Sequence, residues 1–271
     1  MHDLKIGLVQ FDITWEDTES NLRFLDDLLE SATGLDLIVM PEMFNTGFSM
    51  QSQRIAETDD GISTQWMEQT SRKLKTTLCG SIATCEGGKY YNRLKVIQAG
   101  ETICRYDKHN LFTLAGEEKQ YTSGQAQVTF ELAGWNIKPL VCYDLRFPLW
   151  CFNRQEADLM LFCANWPDAR VNHWRTLLRA RAIENQCFVA GVNRVGVDGA
   201  GLQHSGYSAL ISPTGEYICE MEKQAGLFIY SINQAEVIQF RNHVKTGINS
   251  RNTPAVSGLV MGFIIITEMR R

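Results

Sequence analysis

The stretch Pro139-Leu140-Val141-Cys142-Tyr143-Asp144-Leu145-Arg146-Phe147-Pro148 decides how this chain is read. Residues 137–142 form a largely apolar run that reads as a buried strand, and Pro148 opens a helix expected over 148–155. Cys142 therefore stands where a strand stops and a helix is about to begin. A tight turn at such a junction exposes a nucleophile at its tip, as the nucleophile elbow of serine hydrolases does. The competing reading is one more buried thiol. The chain has eight cysteines (Cys79, Cys85, Cys104, Cys142, Cys151, Cys163, Cys187 and Cys219), most of them in apolar, strand-like runs where cysteine behaves as a small hydrophobe.

Upstream of this stretch, residues 4–13 read as a strand and 18–31 as a helix, with Leu22, Leu25, Leu28 and Leu29 at helical spacing and Gly34 as its stop. A short apolar strand at 37–40 ends on Pro41, and a helix is expected at 62–75. Strands at 77–84 and 90–98 flank the Gly87-Gly88 turn, a third follows at 102–106, and 110–124 reads as a long irregular loop. Long loops are uncommon unless they carry function. Downstream come strands at 159–164, 188–193, 205–212 and 226–232, with helices at 171–185 and 234–242. Strands alternating with helices, mixed with hairpins, give an α/β class in a single domain over residues 1–271.

Composition narrows the function. Of 271 residues, 26 are Lys or Arg and 31 are Asp or Glu, a net charge of -5 that argues against a nucleic-acid binder. The longest apolar stretch, 258–266, is far short of the roughly 20 residues that span a membrane. Residues 1–10 carry no basic region followed by a long apolar core, so a cytoplasmic protein is expected, with no membrane partner. Cys-x-x-Cys is absent and the five histidines form no ligand-like cluster with the cysteines, so neither a disulfide framework nor a metal site is expected.

Two more residues stand at strand exits. Glu42, in Met40-Pro41-Glu42, lies just past the strand at 37–40, and Lys108 follows the strand at 102–106. Ligands in α/β folds sit outside the carboxyl ends of strands. Taken singly, a solvated carboxylate and a surface lysine are the commoner readings, and His109 is a rival base for a thiol. Jointly they make a kit for acyl transfer. A carboxylate takes the thiol proton and returns it to a leaving amine. A fixed ammonium lowers the thiol pKa and stabilises the oxyanion of a tetrahedral intermediate.

On these motifs, in this order, the chain resembles the nitrilase or carbon–nitrogen hydrolase superfamily over about residues 4–240. The resemblance implies an α-β-β-α sandwich of two mixed sheets with outer helices, commonly paired into a homodimer. It implies no organic cofactor and no metal. Glu42 matches the family's general base, Lys108 in Tyr106-Asp107-Lys108-His109 its lysine, and Cys142 its nucleophile. A second glutamate that orients the lysine matches Glu117 by its spacing to Gly124, with Glu118 as the neighbouring alternative. The oxyanion hole then consists of Lys108 and the backbone N–H of Tyr143. The segment Cys163-Ala164-Asn165-Trp166-Pro167 resembles the family's site wall, and Arg181 with Glu184 reads as a structural salt bridge on a core helix.

The cysteine lacks the Cys-Trp-Glu context of nitrile-cleaving members and looks like the amidase branches, closest to bacterial omega-amidases. The expected substrate is the terminal amide of a small 2-oxo dicarboxylic acid, 2-oxoglutaramate or 2-oxosuccinamate. Phe44, Phe147 and Trp166 are expected to line a compact pocket, and Arg170 is a candidate partner for the far carboxylate, against its reading as a solvated charge. The alternatives are an N-carbamoyl amine hydrolase and a catalytically silent binding protein on the same fold. Residues 257–271 match no motif and read as an extra strand, a dimer contact or a tail.

Overall fold

Alternation along the strands sets the layers of this molecule. The computed structural model describes residues 3–153 and 156–243. One sheet holds β1 (Asp3–Gln10), β2 (Leu37–Val39), β3 (Thr77–Glu86), β4 (Lys89–Gln98), β5 (Glu101–Asp107) and, beside β1, the late strand β14 (Gly226–Asn233). The other holds β6 (Phe130–Leu132), β7 (Trp135–Val141), β8 (Leu159–Ala164), β9 (Phe188–Asn193), β12 (Ser208–Ile211) and β13 (Tyr217–Met221). A two-stranded ribbon, β10 (Val195–Val197) and β11 (Gln203–Ser205), stands apart. In the first sheet β1, β2 and β3 run parallel, and in the second β7, β8 and β9 do, with antiparallel strands outside them. Both sheets are therefore mixed.

Successive side chains of a strand point to opposite faces. Leu37 and Val39 accordingly join the core between the sheets, with Leu4, Ile6, Leu94, Leu140 and Phe162, while Ile38 points the other way. That outer face is covered by helices α1 (Thr18–Leu29) and α3 (Ile62–Leu74) through Leu22, Leu25, Leu29, Trp66 and Met67. Asp17 caps α1 by accepting the Ser20 N–H at 3.0 Å. On the far side α5 (Val171–Asn185) buries Trp174, Leu178 and Ala182. The layers are thus helix, sheet, sheet, helix, as the resemblance implies, and α6 (Gln234–His243) closes the described chain.

Several boundaries differ from the sequence reading. β1 stops at Gln10, and Asp12 instead makes a single bridge to Val195. The strand expected at 205–212 is two strands, broken where Gly206 and Tyr207 turn to positive φ. A one-turn helix, α2 (Ser52–Ile55), and three short strands (β6, β10 and β13) were not legible. The helix expected at 148–155 is only α4 (Pro148–Cys151). It ends because Phe152 is extended and the Trp150 and Phe152 carbonyls accept from Lys138 Nζ at 3.2 and 3.1 Å. The run 257–271 lies outside the described residues.

The loop at 110–124 is more ordered than expected. It contains two 3₁₀ turns, Thr113–Ala115 and Glu117–Lys119. Its far end is pinned where the Gly124 N–H donates to the Lys108 carbonyl at 2.9 Å. A Cβ on Gly124 would lie 2.0 Å from the Asp107 carbonyl oxygen, so only glycine allows this approach.

Candidate active site

Four strand exits meet at one end of the sandwich, and each delivers a polar group. Glu42 lies three residues beyond β2 and Lys108 directly beyond β5, both from the first sheet. Cys142 directly follows β7 and Asn165 directly follows β8, both from the second. The site exists only because the sheets are stacked face to face.

Lys108 is the hub. Its Nζ donates to Glu42 Oε1 at 2.9 Å and to Glu117 Oε1 and Oε2 at 3.0 and 2.9 Å. All three side chains are fully buried. Glu117, not Glu118, is thus the second glutamate at the lysine, and the Phe112 N–H fixes it at 2.6 Å. Asn92 Nδ2 donates to Glu42 at 2.7 Å and to Glu117 at 3.3 Å, and the Asn165 N–H donates to Glu42 Oε2 at 2.9 Å. Asn165 Nδ2 also donates to the Glu42 carbonyl. Every oxygen of the two carboxylates is held before any substrate arrives.

Cys142 sits at φ 45°, in the left-handed region that non-glycine residues seldom adopt. It opens a 3₁₀ turn, Cys142–Arg146, whose first N–H groups have no partner within the turn. The thiol lies close enough to Glu42 to feel its charge. Burial pushes the thiol well above the usual cysteine range, the Glu42 charge adds to this, and Lys108 opposes it. Lys108 does lower this pKa, as expected, but desolvation and the carboxylate outweigh it, so the resting sulfur keeps its proton with a carboxylate nearby. For Lys108, burial works against the charged form, yet Glu117 and Glu42 overcome it and hold the ammonium above its ordinary value. Burial raises Glu117, with Lys108 acting against it.

Lys108, Cys142, Tyr143 and Asn165 line one end of a cavity of about 770 Å³. Trp166 and Arg170 form part of its wall, as the sequence suggested. The Trp166 Nε1 donates to the Arg170 carbonyl at 2.8 Å, and the Arg170 guanidinium lies 5.0 Å from the centre of the Phe112 ring. Two expected wall residues are elsewhere. Phe44 is fully buried in the core under α3, with its ring 5.9 Å from that of Trp66. It follows Glu42 by two residues, but the turn after β2 directs it away from the cavity. Phe147 is partly exposed and packs edge-on against the outside of Tyr143 at 5.3 Å. Their places are taken by Trp15, Phe48 and Phe112. Phe48 also places its ring centre 4.8 Å from the Lys108 ammonium. His109 is no rival base: its Nδ1 pairs with the Gly124 carbonyl at 2.6 Å and its ring stacks on Trp150.

Arg181 and Glu184 form the expected ion pair at 2.7 Å. Arg181 additionally donates to the Leu145 carbonyl from Nε and Nη2, at 3.0 and 2.7 Å, steadying the Cys142 turn from α5. All eight cysteines are free thiols. Among the described residues no group of His, Cys, Asp and Glu is arranged to hold a metal ion, and no helix is long and apolar enough to cross a membrane.

The sequence model of the carbon–nitrogen hydrolase family matches residues 5–242. The chain belongs to the carbon–nitrogen hydrolase family. Among its carbon–nitrogen hydrolase relatives is the omega-amidase YafV of Escherichia coli K12, 43% identical over 89% of this chain and 94% of that protein. The 2-oxoglutaramate amidase of Bacillus subtilis is 32% identical over 88% of this chain and 94% of its own. A solved structure, XC1258 from Xanthomonas campestris, a CN-hydrolase superfamily protein with an arsenic adduct in its active site, is 40% identical. It superposes with a TM-score of 0.88 over 90% of this chain and 96% of that one. The protein is an amidase-type carbon–nitrogen hydrolase.

Proposed function

We propose that this enzyme hydrolyses the terminal amide of small 2-oxo dicarboxylic acid amides, 2-oxoglutaramate or 2-oxosuccinamate, through a thioester on Cys142. The observation that carries the reading is that Cys142 and Lys108 line the same cavity, with the Lys108 ammonium hydrogen-bonded to the buried Glu42 carboxylate at 2.9 Å. A buried thiol cannot wait as a free thiolate, so its proton leaves as the substrate arrives. Glu42 accepts it, Sγ bonds to the amide carbon, and the oxyanion is met by Lys108 Nζ and the Tyr143 N–H. Glu42 returns the proton to the amide nitrogen, the C–N bond breaks and ammonia departs. Glu42 then draws a proton from water, which attacks the thioester and frees the 2-oxo acid and the thiol. Glu117 keeps Lys108 in place.

The acid end of the substrate needs a cationic partner, because burying a carboxylate unpaired is expensive. Arg170 lines the cavity and, among the described residues, makes no ion pair with a carboxylate. Arg54, also in the wall, is already paired with Glu16. The names of the Escherichia coli and Bacillus subtilis relatives, omega-amidase and 2-oxoglutaramate amidase, support this choice of substrate. The test is steady-state ammonia release from 2-oxoglutaramate, glutamine, a neutral short-chain amide and N-carbamoylputrescine. The reading requires the 2-oxo acid amide to have the highest kcat/KM. A preference for the carbamoyl amine would make this an N-carbamoyl amine hydrolase, and no turnover with any of them would favour a silent binding protein.

A further inference from the structure

Asp144 lies two residues past the nucleophile and is completely buried. Its side chain faces away from the cavity, so the chemistry above leaves it without a task. Yet it accepts four hydrogen bonds. Oδ1 accepts from the Asn110 N–H at 2.8 Å and from Asn110 Nδ2 at 2.9 Å. Oδ2 accepts from the Tyr106 hydroxyl at 2.7 Å and from the Val141 N–H at 3.1 Å. Trp150 Nε1 donates to the Tyr106 oxygen at 2.8 Å, so the hydroxyl proton is committed to Asp144. Burial raises the pKa of this carboxyl, and the bonds from Tyr106, Asn110 and Val141 work against that rise by favouring the carboxylate, which has acceptor sites for all four donors.

The placement of these donors carries the argument. Tyr106 is two residues before Lys108 and Asn110 two residues after it, while Val141 immediately precedes Cys142. One carboxylate therefore grips the chain on both sides of the lysine and at the base of the nucleophile. It does so across the two sheets, and beside a Cys142 held at φ 45°. A strained backbone persists only where its surroundings over-determine it. We propose that Asp144 is a positioning residue that locks the nucleophile turn to the Lys108 loop and so keeps the Cys142 thiol in register with Glu42 and Lys108. The proposal rests on Cys142 being the nucleophile, but not on the identity of the amide.

The test is Asp144→Asn, read as the rate of Cys142 alkylation by iodoacetamide over the neutral to alkaline range and as kcat and KM on 2-oxoglutaramate. An amide at this position can accept through one oxygen only and turns an NH2 toward two donors. A displacement of about 1 Å at a reacting group costs about 100-fold, so kcat is expected to fall on that scale while KM changes less than about threefold. Alkylation is expected to slow by at least about tenfold and to shift to higher pH, because the nascent thiolate loses its alignment with Lys108. Tyr106→Phe removes one donor and keeps the carboxylate, and the same pattern is expected at about 3–10-fold. If Asp144→Asn does not fold, Tyr106→Phe decides. Alkylation at the parent rate with an unmoved pH profile in the folded variants would overturn the proposal. Slowed alkylation together with a parent enzyme inactive on 2-oxoglutaramate would sink the substrate and leave the positioning role standing.

Discussion

Lys108 and Lys95 are both fully buried, both delivered by the first sheet, and both ion-paired with a carboxylate at 2.9 Å. Their environments push them in opposite directions. Lys95 shares Asp59 with Arg93 and Arg105, and burial, only partly offset by Asp59, brings its pKa down. Lys108 has two carboxylates to itself, and they raise its pKa in spite of burial. The carboxylates mirror this. Asp59, against the upward push of burial, is drawn to about 2 by hydrogen bonds from Lys95 and Arg105. Glu117 is raised. The Lys95 cluster is partly open to water and balances three cations against Asp59, Glu86 and Asp107, which suits a brace between strands. The Lys108 cluster is buried at the end of the cavity and has one cation for two acids, beside a thiol that keeps its proton. An arrangement so poorly suited to stability suits a site where protons move.

The sharpest way to break the comparison is Cys142→Ala. It removes the proposed nucleophile and leaves the charges in place, so turnover should vanish while the melting temperature stays near that of the parent. Residual amide hydrolysis in this variant would remove the Lys108 cluster from the chemistry altogether. Glu42→Gln comes next, with a loss of about 10²–10⁴-fold in kcat as the proton acceptor is lost. Intact-mass spectra during turnover check its role, because slow thioester hydrolysis should leave acyl-enzyme on Cys142. Lys108→Ala should cost at least about 100-fold in kcat. It should also destabilise the fold by about 3–5 kcal/mol, since two buried carboxylates are left facing each other. Lys108→Arg should not restore the rate, because a planar fork cannot replace a point ammonium between two acids. Glu117→Gln should lose less activity than Glu42→Gln in the same assay, as it holds the lysine and carries no proton.

How much of this was legible in the sequence follows from how local each signal is. Cys142, Glu42 and Lys108 each end a short apolar run, so their strand exits could be read directly. The turn chemistry beyond those exits could not. Phe44 and Glu42 are two residues apart, yet one enters the helix-side core and the other the site, because the chain after β2 is a turn and not a strand. Asn92 and Asn165 hold Glu42 from 50 and 123 residues away; Asn165 stood in a segment read as site wall, but neither asparagine's neighbours name Glu42 as its partner. Apart from Trp166, the aromatic wall was missed for the same reason. Trp15, Phe48 and Phe112 converge on the cavity from three separate loops. Arg181 was read correctly as half of a salt bridge, but its grip on the Leu145 carbonyl depends on how α5 lies against the nucleophile turn.

The smallest expected effect tests the other half of the comparison. Asp59→Asn should leave kcat and KM unchanged, because the Lys95 brace touches no reacting group. Asparagine keeps an oxygen for Lys95, and Arg105 is half exposed, so the loss is modest. Asp59 is about one-third exposed, and after discounting for solvent screening its ionisation contributes about 1 kcal/mol at neutral pH. The sign follows from the lowered pKa. The folded value of about 2 lies below the ordinary 3.8, so the contribution is fully present above pH 3.8 and is lost as pH falls toward 2. Thermal melts of parent and variant should therefore differ at neutral pH and converge across that acid window. A gap that persists at pH 2 would show that the loss does not come from the ionisation of Asp59, and a fall in kcat at neutral pH would show that the brace reaches the active site, so that the division between a structural and a chemical lysine cluster fails.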